Sequence, residues 1–292
     1  MRRPDPIDHF RNEEPDMKQK RPHALVLVLA GVSLAILHGA DLLLRTDAST
    51  GFALAGSVWL RYLLWLAALL LPYLLARHAA AQPAALSNSN MPLGICMVFA
   101  GLLFGASGLL TLSTAWYVTQ YPYLFTSYPL FAAWADVVTP LLGGIWLVVY
   151  GVRAVIGFGL QRGKVGSALA AVVLPLCFLW RLVWRFQFVP ASLQRMPCTL
   201  RVVSGVAALL FAVVLLKVFL VPGLPCGHTL FAAGSGCFLL CTGLELTQTL
   251  FEAFRGMLIL PDLLTGLGMG VLGLCGLACA WAACGEDAAE TE

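Results

Sequence analysis

The chain has 292 residues, of which 60% are hydrophobic and only 11% charged, and its formal net charge is +3. An average soluble domain carries about 25% charged residues, so the composition excludes a water-soluble globule, and so small a net charge gives a nucleic-acid partner no support. The long apolar runs do not alternate every second residue, which sets aside a membrane β-barrel.

Residues 1–23 hold six Lys or Arg and five Asp or Glu. A mixed, proline-containing stretch of this kind is expected to be a disordered polar tail. No removable signal peptide is expected, because the first apolar run follows this tail and is too long for an h-region.

Eight stretches then reach the length of about 20 apolar residues that a bilayer span needs. They are 24–44, 52–75, 92–114, 129–151, 165–187, 199–221, 227–250 and 260–283. Backbone groups in lipid must be satisfied within their own segment, so each is expected to be a helix. The predicted fold is all-α: a polytopic integral membrane protein whose domain, 24–284, is a bundle of eight transmembrane helices, followed by a short acidic tail at 285–292.

The linker 77–91 is the most loop-like internal segment and is expected to divide the first two helices from the other six. Pro72, Pro140 and Pro175 fall inside spans, where proline removes a helical hydrogen bond. Pro140, followed by Gly143 and Gly144, marks span four as the helix expected to bend. In the last span Gly266, Gly270 and Gly273 share a face with small-xxx-small spacing, which admits another backbone closely. Packing within the monomer is the expected use of that face, with a dimer contact as the alternative.

Lys and Arg set the orientation. With the N-terminus inside, the inner side collects the six tail residues, Arg77, Arg153, Arg162, Lys164 and Lys217, eleven in all. The outer side collects six: Arg45, Arg181, Arg185, Arg195, Arg201 and Arg255. The distribution predicts both termini in the cytoplasm.

On this topology His38, Asp41, Arg61, Asp136, Arg181, Arg185, Arg201, Glu245 and Asp262 all fall toward one side of the membrane, and Lys217 is the exception. An unpaired charge at a helix centre costs about 2.5–3.5 kcal/mol on insertion scales. The acids Asp41, Asp136, Glu245 and Asp262 are therefore expected to pair with Arg61, Arg181, Arg185 and Arg201. Asp41 with Arg61, on consecutive helices at similar depth, is the nearest pair in sequence. The connection 115–128, with Trp116, Tyr117, Tyr121, Tyr123, Phe125 and Tyr128, lies on the same side, as do Trp180 and Trp184. Aromatics gather at membrane interfaces in general; here they are also expected to roof a polar vestibule.

Three motifs invite chemistry. Gly105-Ala106-Ser107-Gly108 matches the GxSG pattern of rhomboid intramembrane proteases, but the one plausible base, His228, falls at the opposite face. Cys237 and Cys241, like Cys275 and Cys279, share a helical face and could hold a soft metal; free Cys also packs as a small hydrophobe. His38 and Asp41 have a spacing that could contribute to a metal site. None is accompanied by the further ligands or partners it needs, so no cofactor and no metal is expected.

The predicted site is Asp41, Arg61, Asp136, Arg181 and Glu245. Intramembrane ionisable groups point to function by default, and arginine suits bidentate recognition of carboxylate or phosphate. The leading expectation is binding or translocation of a small polar or amphiphilic substrate, a solute or a lipid headgroup. The alternatives are a non-catalytic accessory or assembly subunit of a membrane complex, with another membrane subunit as partner, and a lipid-modifying membrane enzyme. The missing nucleophile–base pair weighs against the enzyme.

Overall fold

The structure is a computed structural model that describes residues 24–47, 50–77, 79–80, 89–124, 128–156, 168–188, 195–220 and 225–284. Both tails and most of the linker 77–91 lie outside the described residues. Eight helices follow in order: α1 (Ala24–Arg45), α2 (Val58–Ala76), α3 (Met91–Gln120), α4 (Leu130–Ile156), α5 (Ala168–Phe188), α6 (Met196–Leu220), α7 (Gly227–Phe254) and α8 (Leu260–Ala283). Among the described residues no strand forms beyond isolated bridges between Thr46 and Ala53 and between Phe52 and Arg195.

Seven of these helices are long and apolar enough to cross a membrane; the apolar stretch of α5, Ala170–Val183, is shorter. Their outer faces carry large apolar side chains in the open, such as Leu25, Ile36, Leu63, Leu102, Ile145 and Leu210. In water such a surface would aggregate; in a bilayer it is the solvent-matched face. The protein is a helical multi-pass membrane protein.

Helices α3 to α8 close into a ring. Each packs on the next, and α8 returns to pack on α3. Helices α1 and α2 lie outside this ring and dock mainly on α7. On α2 only Trp65, Pro72 and Ala76 are buried. The division at linker 77–91 thus separates a peripheral helix pair from a six-helix ring.

Glycine sets the tightest seam. Gly94, Gly101 and Gly108 recur every seven residues on α3 and meet Gly151, Gly144 and Val137 of α4. A Cβ added at Gly101 would lie 2.6 Å from the Gly144 carbonyl oxygen. Small residues at this spacing let two backbones touch in lipid, where packing rather than hydrophobic burial drives association. The glycine face predicted on α8 packs within the chain: Gly266 meets Thr249, Gly270 meets Leu246, and Gly276 meets the backbone of Gly234, all on α7. Helix α4 continues through Pro140 without interruption.

The irregular helix is α7. Its middle, Phe238–Leu246, is a π-helix between two α-helical pieces. Such segments are rare and recur at functional sites. Here Thr242 Oγ1 donates to the Gly270 carbonyl at 2.7 Å, and Cys241 Sγ reaches the Ser204 carbonyl at 3.5 Å. These contacts lock the widened turns against α8 and α6.

Several span limits need correction: α2 begins at Val58, not 52, and α4 runs on to Ile156, not 151. Helix α3 runs to Gln120, not 114, so Trp116 and Tyr117 lie on an exposed helical face. They look outward and do not roof a vestibule. Helix α6 starts at Met196, not 199. Helix α7 runs to Phe254, not 250, because its last turns are apolar on the wrong side for a hydropathy scan. Gln248, Thr249 and Glu252 point inward, while Phe254 is 88% exposed. Of the aromatic connection, Phe125 lies outside the described residues.

Candidate functional site: a charged cavity at one end of the ring

A cavity of about 550 Å³ opens at the end of the ring where α3, α5 and α7 finish and α4, α6 and α8 begin. All six ring helices line it, together with Leu42 of α1 and Thr46 just beyond its end. The turn after α1 sits at its mouth. Gly51 N donates to the Asp47 carbonyl at 2.8 Å, and Asp47 N donates to the Phe52 carbonyl at 2.9 Å. Gly51 has φ +73°, a conformation other residues resist, and a Cβ there would lie 2.9 Å from Pro197 Cγ.

The cavity wall carries three arginines, Arg181, Arg195 and Arg201, and four acids, Asp47, Asp136, Glu252 and Asp262. Most of these charges have internal partners. Glu252 forms an ion pair with Arg201 and accepts from Gln248 Nε2 at 2.8 Å. Asp136 accepts from the Tyr128 hydroxyl at 2.5 Å and from Trp180 Nε1 at 3.3 Å. Burial, reinforced by the Asp136 carboxylate it donates to, pushes the Tyr128 phenol above its ordinary value, so it remains a donor. Asp47 accepts from the Thr50 hydroxyl at 2.5 Å. Asp262 is exposed at the rim.

Arg181 is different. It lines the cavity yet reaches no carboxylate within 4.0 Å among the described residues. Glu245, Asp262 and Asp136 lie near enough to attract it through space, and Arg201 near enough to repel it. Glu245 sits behind the cavity wall on the π-helical turn, 2% exposed, and its Oε2 has no hydrogen-bond partner. A buried carboxylate is costly without a counter-charge, and Arg181 supplies one through space.

The five predicted site residues therefore separate. Asp136 and Arg181 line the cavity, and Glu245 lies behind it. Asp41 and Arg61 do not reach it. They form the expected ion pair at 3.1 Å, between α1 and α2 outside the ring. Arg61 Nη2 also donates to the carbonyls of Arg45 at 3.3 Å and Ala55 at 3.1 Å. This geometry pins the outer helix pair and corrects the reading of one continuous charged cluster. Arg201 pairs with Glu252, not with any of the four acids named from sequence. The side chains at 184–188, Trp184 and Arg185 among them, lie outside the described part.

Glu252, Gln248 and Ser107 were missed as cavity groups. The signal available was the polar spacing of Gln248, Thr249 and Glu252, which lies past the point where hydropathy declines. Ser107 donates to the Pro261 carbonyl at 2.8 Å and lies 2.7 Å from Thr265 Oγ1. His228 bonds the Ala76 carbonyl at 2.9 Å, at the start of α7 and the opposite end of the bundle. The serine ties α3 to α8 through these bonds, far from His228. His38 is buried against Trp65, ring centroids 6.1 Å apart, and near Gln248. Cys237 and Cys241 sulfurs lie 3.8 Å apart, but no three His, Cys, Asp or Glu side chains among the described residues come together as a metal site.

Comparison with family models, with curated proteins and with solved structures finds no match for this chain.

Proposed function

We propose that this protein binds or translocates a small polar or amphiphilic substrate through the cavity at the charged end of the ring. The observation that carries the reading is Arg181: a guanidinium with five donors, facing open space in a wall whose other charges are largely engaged. The volume falls within the about 300–1,000 Å³ of small-ligand sites. A structural role for the charges alone accounts for Asp41–Arg61 and Arg201–Glu252, but gives Arg181 no ion-pair partner among the described residues.

The excess of Lys and Arg on the inner loops supports a cytoplasmic membrane with both termini inside. The cavity then faces the exterior.

Thermal melting of the purified protein against a panel of anionic, zwitterionic and neutral solutes tests the reading. A ligand at 100 times its Kd stabilises by about 2.7 kcal/mol, which is a readable rise in Tm. An anionic or zwitterionic solute is expected to raise Tm in the wild type and to lose that effect in Arg181→Gln. A panel that leaves Tm unmoved, or an equal rise in both proteins, contradicts it.

A further inference from the structure

The cavity wall changes character with depth, and three helices change together. On α3 the lining runs from Thr111 at the mouth to Phe104 below. On α4 it runs from Asp136 to Gly143, and on α5 from Arg181 to Leu174. In each case the two positions are seven residues apart, about 10 Å along the helix at 1.5 Å per residue. The helices run antiparallel, so the directions of these three sequences agree only if the polar level and the apolar level are shared. Phe104 and Phe178 meet edge to face at 6.0 Å and close the apolar floor.

From this gradient we infer that the substrate is an acidic amphiphile: a carboxylate or phosphate held at Arg181, with a hydrocarbon chain of about 10 Å reaching down to Phe104, Leu174 and Phe178. The inference rests on the cavity being a binding site and specifies what it takes. The acids of the wall argue for an anionic head rather than a cationic one. Asp136 and Glu252 already accept two hydrogen bonds each from the protein. Arg181 is the charged group of the inner wall whose donors remain uncommitted, and a planar guanidinium matches carboxylate and phosphate in a bidentate manner. Glu245 offsets the charge of Arg181 without an ion-pair contact among the described residues, which leaves the guanidinium free to turn to a ligand. Below Arg181 the wall is Leu174, Cys177, Phe178 and Phe104, and the hydroxyls among them, Ser107, Thr139 and Thr265, are already bonded within the protein.

Membrane lipids and free alkyl acids share this chemistry, and chain length tells them apart. The protein is reconstituted in phosphatidylcholine nanodiscs. Melting is followed with acetate, inorganic phosphate, butanoate, octanoate, dodecanoate, octyl phosphate, octanol and phosphatidic acid. Each buried methylene tightens binding about fourfold, so octanoate is expected to act at concentrations at least tenfold below butanoate. Octanol, which lacks the charge, is expected to be ineffective. Arg181→Gln should abolish the octanoate effect.

Gly143→Leu fills the floor. A Cβ at Gly143 makes only ordinary contacts, the nearest at 3.5 Å to Cys177, so the added chain projects into the cavity. This variant should lose the advantage of octanoate over butanoate while still responding to octyl-free phosphate or acetate. An optimum at medium chain length supports a free acid as the source; an effect that continues to phosphatidic acid supports a lipid whose remaining chain stays in the bilayer. Equal action of acetate, phosphate and octanoate in the wild type overturns the amphiphile and leaves a small-anion site. Silence from the whole series overturns the amphiphile, whereas the binding function itself falls only if the zwitterionic and neutral solutes of the wider panel are silent as well.

Discussion

Replacing Gly144 with leucine is expected to remove most of the folded protein, while Gly105→Ala, four residues along α3 from Gly144's partner Gly101, is expected to be tolerated. The contrast follows from what a Cβ meets. At Gly144 it would lie 2.6 Å from the Gly101 carbonyl oxygen and 2.9 Å from the Gly105 nitrogen. Both are backbone atoms that cannot step aside, so α3 and α4 must separate along a seam that runs from Gly94–Gly151 to Gly108–Val137. Overpacking commonly costs about 1–3 kcal/mol, and a rigid backbone on both sides places this case at the upper end. At Gly105 a Cβ meets nothing within 4 Å. Alanine there gains up to about 1 kcal/mol of helix propensity. Both cavity walls rest on this seam, since Phe104, Ser107, Thr139 and Gly143 flank it. Comparison of folded yield and Tm in detergent for the two variants checks the expectation; equal behaviour would show that the close approach of α3 and α4 is absent.

The second large effect is expected at Arg201 and Glu252. Removing one partner of a buried pair leaves an uncompensated charge and costs about 3–5 kcal/mol. The Arg201 side chain retains 24% exposure and Glu252 only 9%, so the loss in Glu252→Ala is expected near the low end, about 3 kcal/mol. Arg201→Ala should cost less, because Glu252 keeps its bond from Gln248. The double variant Arg201→Met/Glu252→Leu should recover most of the stability, since apolar replacement of both partners is often close to neutral. A double variant no better than Glu252→Ala alone would contradict an ion pair as the source of the loss. Melting curves of the four proteins supply the comparison.

How much of this was legible in the sequence varied with the physics involved. Helices that face lipid announce themselves by hydropathy, which is why the eight segments and the two-plus-six division could be read. The one-ended distribution of charge could be read as well, because antiparallel helices convert position in a span into depth. Pairing could be read only where the chain itself brings two residues together, as in Asp41–Arg61 on adjoining helices.

What escaped reading depends on the interior. Glu252 lies on a turn whose outward face, Leu250 and Phe254, is apolar and whose inward face is polar, the reverse of a soluble helix, so hydropathy declines before the helix stops. The π-helical turns that carry Glu245 have no compositional signature. The glycines of α3 are spaced by seven, and without knowing that α4 presents Gly144 and Gly151 opposite them they read only as scattered small residues. The separation of Asp41 and Arg61 from the cavity follows from the docking of α1 and α2 outside the ring, and a shared depth in the membrane says nothing about that.

A water-accessible cavity that opens at one end of the ring and descends beside Arg181 underlies both the binding function and its specificity. Thiol accessibility tests it most directly. In a background with the partly exposed Cys96, Cys177, Cys226 and Cys284 and the cavity-lining Cys198 replaced by serine or alanine, a single cysteine is introduced in place of Thr139 within the cavity, Asp262 at its rim, or Lys217 at the far end of α6, and intact cells and inverted membrane vesicles are treated separately with a membrane-impermeant maleimide. Thr139→Cys and Asp262→Cys are expected to react from the same side of the membrane and Lys217→Cys from the other. A Thr139→Cys thiol that resists the reagent from both sides, or that reacts from the side of Lys217, would contradict it.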